Sequence, residues 1–144
     1  MSYYPLQSIP DYYGIDDLLT EEHLLIRQSV RDWVQSFVIP KIDEAAQHHK
    51  DIPNLMKELG AIGALGPYIP EEYGGAGLDQ ISYGLIMQEL ERGDSAVRSA
   101  ASVQSSLVMF PIYEFGSEEQ KKKYLPLLAT GEYIGAFGLT EPNH

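Results

Sequence analysis

Apolar residues recur with the period of an α-helix through most of this sequence, and that period limits the fold more than any other feature. The first such stripe is formed by Ile26, Val30, Trp33, Val34 and Phe37. Their spacing places them on one face of a helix, and this face must pack against a core. We predict further helices over residues 41–48, 53–59, 80–92, 95–110 and 118–128. The predicted fold class is therefore all-α, with five to six helices.

Short polar residues stand where these helices should begin. A side-chain oxygen at the N-cap accepts a hydrogen bond from a free backbone N–H group of the first turn. The predicted N-caps are Thr20, Asp79, Asp94 and Ser117. Gln120 follows Ser117 at the spacing of a capping box, and Glu21 and Glu22 follow Thr20 in a first turn that favours negative charge.

Glycine and proline are expected to end or interrupt the helices. Gly60 is placed to stop the helix at 53–59 in a left-handed conformation, and Gly93 to break the helix at 80–92. Pro40 should interrupt the first helical run, and Pro111 should end or kink the helix at 95–110. In the helix at 80–92 we expect three residues to be buried, namely Ile81, Leu85 and Leu90.

Only one segment, residues 133–140, has the period of a β-strand. Its two faces alternate as Tyr133, Gly135, Phe137 and Leu139 against Ile134, Ala136, Gly138 and Thr140. A lone strand leaves its backbone donors and acceptors unpaired. We therefore expect residues 1–131 to form a helical domain and residues 132–144 to be the first strand and turn of a truncated β-domain, in a chain cut from a larger protein.

Composition excludes several classes of function. The chain has 144 residues, 44% of them hydrophobic, which suits one compact domain. Its formal charge of −11 argues against nucleic acid as a partner, and the absence of cysteine excludes disulfides and thiolate metal sites. No stretch approaches the roughly 20 apolar residues of a membrane span, and no signal peptide begins the chain. We expect a cytoplasmic protein without membrane insertion.

Arg98 is the one residue whose surroundings suggest a binding site. It is the only charged residue between Ser95 and Tyr113. A structural ion pair with Glu91 or Asp94 is one explanation, since buried arginines are usually paired. The other is a clamp on a ligand carboxylate or phosphate, which suits the forked geometry of a guanidinium. The many serines and alanines around it allow close approach by either a ligand or another helix.

The remaining candidates are weak. His48 and His49 are adjacent, which is the wrong spacing for two metal ligands on one helix face. The glycines at 74, 75 and 77 lack the strand and the spacing of a phosphate-binding loop, so we interpret them as turn residues. We find no arrangement of a nucleophile with an adjacent base. No catalytic residue and no metal ligand is predicted.

Three stretches together resemble the acyl-CoA dehydrogenase family. They are IPEEYGGAGLD at residues 69–79, GSEEQKKKYLPLLATGE at 116–132 and FGLTEPNH at 137–144. The order and separation of these motifs are similar to those of the family's N-terminal helical domain, and they extend over nearly the whole chain. The stretch RSAASVQSSLVM at 98–109 resembles the glutaryl-CoA dehydrogenase branch.

The resemblance implies a flavoenzyme that binds FAD and oxidises an acyl-CoA with a glutamate as base. In the glutaryl branch it implies that Arg98 receives the far carboxylate of the substrate, with Ser99 and Glu91 beside it. It also implies cofactor contacts from Phe137, Gly138, Leu139, Thr140, Glu141, Pro142, Asn143 and His144. The implied partners are an acyl-CoA substrate and an electron-transfer flavoprotein or similar acceptor, and the implied parent is a homotetramer.

The chain departs from the family pattern at its end. Family members continue past His144 with a Gly-Ser-Asp turn, and the glutamate base lies further on, so we expect this chain alone to be inactive. Decarboxylation of glutaryl-CoA to crotonyl-CoA is the implied reaction of the parent. Two alternatives stay open: another acyl-CoA dehydrogenase or oxidase of the same fold, and a non-catalytic helical interaction module.

Overall fold

The structure, a computed structural model, describes residues 11–142. Helices dominate this part of the chain and no strand is present in it. The α-helices are α1 (Glu21–Trp33), α2 (Ile39–His48), α3 (Leu55–Ala61), α4 (Gln80–Gly93), α5 (Ser95–Ser102), α6 (Phe110–Phe115) and α7 (Glu118–Ala129). Short 3-10 turns occupy Ile15–Leu18 and Glu71–Tyr73. The prediction of an all-α fold is confirmed.

Two π-helical segments join pairs of these helices into longer rods. The first π segment, Val34–Val38, connects α1 to α2, and the second π segment, Val103–Met109, connects α5 to α6. Counted as continuous rods, the described residues form five helices: α1 with α2, α3, α4, α5 with α6, and α7. This number agrees with the predicted five to six.

All four predicted N-caps are formed. The side chain of Thr20 accepts from the His23 backbone N–H, Asp79 from Ser82, Asp94 from Ala96 and Val97, and Ser117 from Gln120. At Ser117 the Gln120 side chain also accepts from the Ser117 N–H at 2.8 Å, which completes the predicted capping box. These local contacts fix where α1, α4, α5 and α7 begin.

Pro40 and Pro111 do not interrupt their rods. Each lies in the first turn of the helix that follows a π segment, at the second residue of α2 and of α6. A proline lacks the N–H for an intrahelical bond, and the wider π turn before it rearranges the backbone bonds at that point. Both rods therefore continue past the proline, where the sequence predicted an interruption at Pro40 and an end or a kink at Pro111.

Gly60 also has a different role from the predicted one. It lies inside α3 and does not end it, and the left-handed conformation occurs at Gly63 instead, with φ of 71°. A Cβ atom at Gly60 would stand 2.6 Å from the backbone of Thr130. This glycine is needed because α3 passes very close to the end of α7.

The core lies between α1, α3, α4, α5, α7 and the two π segments. Its fully buried members include Val34, Leu59, Leu90, Met109 and Leu125. In α4 the predictions for Leu85 and Leu90 are confirmed, whereas Ile81 is 50% exposed and the prediction of its burial was wrong. Ile81 is the second residue of α4, next to its capped end, so its side chain lies at the edge of the core.

The predicted strand at 133–140 is not formed. The structure gives no regular secondary structure to residues 134–140. A strand needs a neighbour to satisfy its backbone groups, and none exists within residues 11–142. In the same part of the chain, no helix has the length and apolar character required to cross a membrane.

Candidate functional site

The corner between α4 and α5 gathers the polar groups around Arg98. Arg98 Nε donates to Glu91 Oε2 at 2.5 Å, and the Ser95 hydroxyl donates to Glu91 Oε1 at 2.7 Å. Arg98 Nη1 also lies 3.4 Å from the Ser102 hydroxyl. We call Glu91, Ser95, Arg98 and Ser102 the Arg98 cluster. Asp94, the other partner considered for Arg98, caps α5 instead.

The fold places these residues together because α5 turns back directly after α4. Glu91 occupies the last turn of α4, Asp94 caps α5 with an extended backbone, and Arg98 follows one turn later. Ser95, Arg98 and Ser102 are spaced three and four residues apart and so share a face of α5. A side chain from the end of α4 can therefore reach two positions on that face.

Electrostatics in the cluster favour an ionised Glu91. The Arg98 hydrogen bond, followed by that of Ser95, lowers the pKa of Glu91 below its usual value. Both charged side chains are partly open to solvent, with exposed fractions of 36% for Arg98 and 46% for Glu91. The Arg98–Glu91 ion pair is thus accessible to solvent and is not buried in the core.

The guanidinium of Arg98 keeps one edge available. Nε is bonded to Glu91 and Nη1 has only the long contact with Ser102, while Nη2 has no hydrogen bond to any residue in the range 11–142. Ser99, the other predicted substrate residue, is partly buried on the next position of α5. A carboxylate approaching the outer edge of the guanidinium would find charged donors already oriented by Glu91.

A buried glutamine further along the same rod fixes the chain after α7. Gln104 is 1% exposed, and its Nε2 donates to Leu128 O at 2.9 Å and to Tyr133 O at 2.8 Å. Its Oε1 accepts from the Gly135 N–H at 2.8 Å. A Cβ atom at Gly135 would lie 2.4 Å from a methyl carbon of Val108, so the chain is pressed against the second π segment here.

Beyond Gly135 the predicted cofactor residues lie in the open. Residues 136–142 are exposed, and none of their backbone N–H groups bonds to another described residue. The predicted contacts Phe137, Gly138, Leu139, Thr140, Glu141 and Pro142 are among them. Asn143 and His144 fall outside the described residues. An exposed run of free amides with one hydroxyl, that of Thr140, is a donor set that suits a polar cofactor ring.

A cavity of about 540 Å³ lies between α5, the start of α3 and the chain after α7. Ala100 of α5 lines it, as do Gly131, Glu132 and Ile134 after α7. Residues at and just before the start of α3, such as Ile52 and Leu55, also line it. Within the described residues no hydrogen bond connects the Arg98 cluster with residues 136–142. The α5 to α6 rod carries the cluster and, through Gln104, also holds residues 133 and 135.

Sequence reasoning missed three residues of this arrangement. Ser95 and Ser102 were recognised only as small residues, although their hydroxyls contact Glu91 and Arg98. Gln104 carried a detectable signal, because it stands seven residues after Val97 and three after Ala101, on the buried face of the rod. A polar residue at an apolar position predicts a buried hydrogen-bonding role.

The weaker candidates remain without a site. Within residues 11–142 no group of three or more metal-ligating side chains is close enough to hold an ion. His49 ends α2 in a left-handed conformation, with φ of 50°, and is exposed. Gly74 and Gly77 adopt positive φ in the turn before α4, as expected for turn glycines.

Comparison with known proteins decides the family. A family profile described as "Acyl-CoA dehydrogenase, N-terminal domain" matches residues 20–132. The chain belongs to the acyl-CoA dehydrogenase family. The match begins at the N-cap of α1 and ends just before the segment held by Gln104.

Relatives with different substrates in their names share this domain. A probable acyl-CoA dehydrogenase of Bacillus subtilis (strain 168) is 45% identical over 124 residues, which is 85% of this chain and 21% of that protein. The mitochondrial isovaleryl-CoA dehydrogenase of Pongo abelii is 39% identical over 127 residues, 87% of this chain and 30% of that protein. The chain therefore spans about a fifth to a third of the length of these curated relatives.

The fold agrees with that of a solved glutaryl-CoA dehydrogenase. The enzyme of Mycobacterium smegmatis, solved in complex with FADH2, superimposes with a TM-score of 0.88 at 45% identity. The superposition covers 92% of this chain and 34% of that one. The helical arrangement described above is thus that of the family's N-terminal domain.

Proposed function

We propose that this chain is the N-terminal part of an FAD-dependent acyl-CoA dehydrogenase that oxidises glutaryl-CoA. Residues 1–131 form its helical domain, and residues 132–144 lead into a β-domain of the parent protein. The observation that carries the substrate assignment is Arg98, whose guanidinium is held by Glu91 on one side and keeps Nη2 available on the other. Glutaryl-CoA has a free carboxylate at the far end of its acyl chain, which a monocarboxylic acyl-CoA lacks.

The Arg98 cluster would bind and orient that carboxylate. Glu91 holds the guanidinium through Nε, so the ligand meets a preformed donor whose net charge Glu91 partly balances. Ser99 would add a hydroxyl beside it. The small side chains of α5 leave room for the acyl chain along the helix face, because serine and alanine extend little from the backbone.

Residues 137–144 would hold the cofactor through backbone amides and the Thr140 hydroxyl. When bound, FAD supplies the redox chemistry by accepting the hydride that leaves the acyl β-carbon. The α-proton goes to a glutamate base that the family resemblance places beyond His144, so the residues of this chain bind and orient without taking the proton. Loss of CO2 would complete the conversion to crotonyl-CoA.

The family resemblance also supports the proposed partners. The parent would pass its electrons to an electron-transfer flavoprotein or a similar acceptor, and it would assemble as a homotetramer. The chain described here would be inactive alone, since it supplies binding groups without the base.

Substrate kinetics of the full-length protein test this assignment. Arg98→Ala should raise KM for glutaryl-CoA by about 10- to 100-fold, the worth of one charge-assisted hydrogen bond, with little change for butyryl-CoA. Arg27→Ala is the matched control, because it removes an arginine whose bonds go to the exposed Asp16 instead. Equal effects of Arg98→Ala on both substrates would refute the role of Arg98.

A different acyl-CoA is the second candidate. The 39% identity to isovaleryl-CoA dehydrogenase favours it, together with the finding that Arg98 already has an ionic partner. A substrate panel on the wild-type protein separates the two, since a branched or straight monocarboxylic acyl-CoA would then have the highest kcat/KM. A protein that binds neither FAD nor any acyl-CoA would point to a non-catalytic module.

A further inference from the structure

The Gln104 side chain uses both its hydrogen-bond donors and its acceptor. Both amide protons and the carbonyl oxygen are used, in bonds to Leu128 O, Tyr133 O and the Gly135 N–H. The side chain is 1% exposed, at the start of the second π segment. A buried amide with all these bonds satisfied costs little, whereas one deprived of them is expensive.

The bonds to Tyr133 and Gly135 hold the chain where it leaves the helical body, and the bond to Leu128 anchors Gln104 to α7. Tyr133 N–H donates to Leu127 O at 3.0 Å, which sets the turn after α7, and Gly135 then stands against Val108. From Ala136 onwards no backbone N–H of the described residues bonds elsewhere in the described chain. The direction of residues 136–142 is therefore determined at residues 133–135.

We propose that Gln104 is a positioning residue for the cofactor-contacting segment. By holding Tyr133 and Gly135, it directs residues 136–142 relative to the rod that also carries Arg98, six residues earlier. The inference rests on the proposed function, because it takes residues 137–144 as the flavin contacts. It goes beyond that function by assigning the placement of those contacts to a residue that touches neither flavin nor substrate.

The geometry of the rod explains why this residue lies at a π segment. A π turn widens the helix and shifts the facing of the residues that follow it. Here the second π segment buries Gln104, Ser105 and Met109 together. Gln104 and Val108 lie on consecutive turns of this segment, so one rod supplies both the hydrogen bonds to residues 133 and 135 and the surface against Gly135.

The test compares the segment and the cofactor affinity in the same variants. Gln104→Met keeps the length of the side chain and removes all three bonds, and Gln88→Met makes the same change at an exposed glutamine of α4. Leu90→Ala lowers stability from the core of α4 without removing any of these bonds. Amide hydrogen exchange of residues 133–137 reports the segment, and flavin fluorescence titration of the full-length apoprotein gives the Kd for FAD.

Gln104→Met should speed exchange at Gly135 and raise the Kd for FAD, each by at least about tenfold, since several hydrogen bonds are lost. Gln88→Met and Leu90→Ala should leave the Kd within about twofold of wild type. Faster exchange with an unchanged Kd, or an equal rise of the Kd in Leu90→Ala, would overturn the positioning role.

A second variant keeps the proposal testable if Gln104→Met does not fold. Gly135→Ala perturbs the same junction from the exposed side, because its Cβ would meet Val108 while the core stays intact. Gly135→Ala should also raise the Kd for FAD. If Gln104→Met fails to fold and Gly135→Ala has the same Kd as wild type, the proposal is overturned. A wild-type protein that binds no FAD would contradict the proposed function itself, which is a distinguishable result.

Discussion

Arg31 and Glu89 form a two-pronged ion pair between α1 and α4. Arg31 Nε donates to Glu89 Oε2 at 3.0 Å, and Nη2 donates to Oε1 at 2.8 Å. Glu89 is fully buried, and Arg92 Nε lies 3.2 Å from its Oε2. A buried carboxylate is tolerated only when its charge is matched, and here Arg31 ties α1 to Glu89 of α4 while Arg92 of the same helix adds a second positive charge.

Glu89→Ala should destabilise the protein by about 3–5 kcal/mol, because it leaves two guanidinium groups without their buried counter-ion. Urea denaturation followed by circular dichroism measures this loss. Glu44→Ala is the matched control, since its pair with Lys50 is 3.7 Å long and exposed on both sides. The control should change stability by less than about 1 kcal/mol. Similar values for the two variants would contradict the role given to Glu89.

The ionisation of Glu91 should respond unequally to its two partners. The Arg98 hydrogen bond is the larger cause of its lowered pKa and the Ser95 hydrogen bond the smaller one. Arg98→Ala should therefore raise the pKa of Glu91 more than Ser95→Ala does. Carboxyl carbon NMR titration measures both shifts, with Ser36→Ala, a serine bonded only to backbone carbonyls of α1, as a control that leaves Glu91 unchanged. The reverse order would show that Arg98 does not hold Glu91.

Local contacts explain why much of this fold could be predicted from the sequence. Thr20 and Ser117 cap helices through bonds to residues three positions away, and such bonds depend only on the nearby sequence. The Glu91 partner of Arg98 was anticipated for the same reason, because seven residues separate them across one tight corner. Features of this kind depend on nearby residues, so the local sequence is enough to predict them.

The features that sequence reasoning missed depend on distant partners. Gln104 meets Tyr133 across 29 positions, and Gly60 is required by the close approach of Thr130, the residue after α7. The two π segments leave no period of their own in the sequence. Pro40 was therefore expected to interrupt its helix, and Pro111 to end or kink its own, although both helices continue. The strand predicted at 133–140 is not formed because strand pairing needs two segments, and residues 11–142 contain no second strand segment.

The capping aspartate of α4 should make stability depend on pH in the acid range. Backbone and side-chain hydrogen bonds from Ser82 and His23 lower the pKa of Asp79 from 3.8 to about 2. A carboxyl with a depressed folded pKa stabilises the fold above its unfolded value and loses that contribution as pH falls through the folded value. The contribution of Asp79 should therefore be present above about pH 5 and disappear between about pH 4 and pH 2.

Comparison with Asp79→Asn isolates this contribution, because asparagine also caps helices but carries no charge. The stability difference between wild type and Asp79→Asn, from urea denaturation at several pH values, should narrow towards zero below pH 4. Asp43→Asn removes an exposed carboxylate that has no hydrogen bond within residues 11–142, and its difference from wild type should be small throughout. A difference for Asp79→Asn that stays constant down to pH 2 would contradict the assigned cause.

Two helical glycines should respond in opposite directions to the same substitution. Gly60 in α3 would place a Cβ atom 2.6 Å from the backbone of Thr130, whereas a Cβ at Gly84 in α4 would meet nothing within 4 Å. Alanine lowers the entropy of the unfolded chain and is the better helix former, so Gly84→Ala should stabilise by roughly 0.5–1 kcal/mol. Gly60→Ala should destabilise by about 1–3 kcal/mol, because the backbone of α7 cannot move aside as a flexible side chain could. Thermal unfolding of both variants measures the contrast, and stabilisation by Gly60→Ala would show that α3 and α7 do not approach this closely.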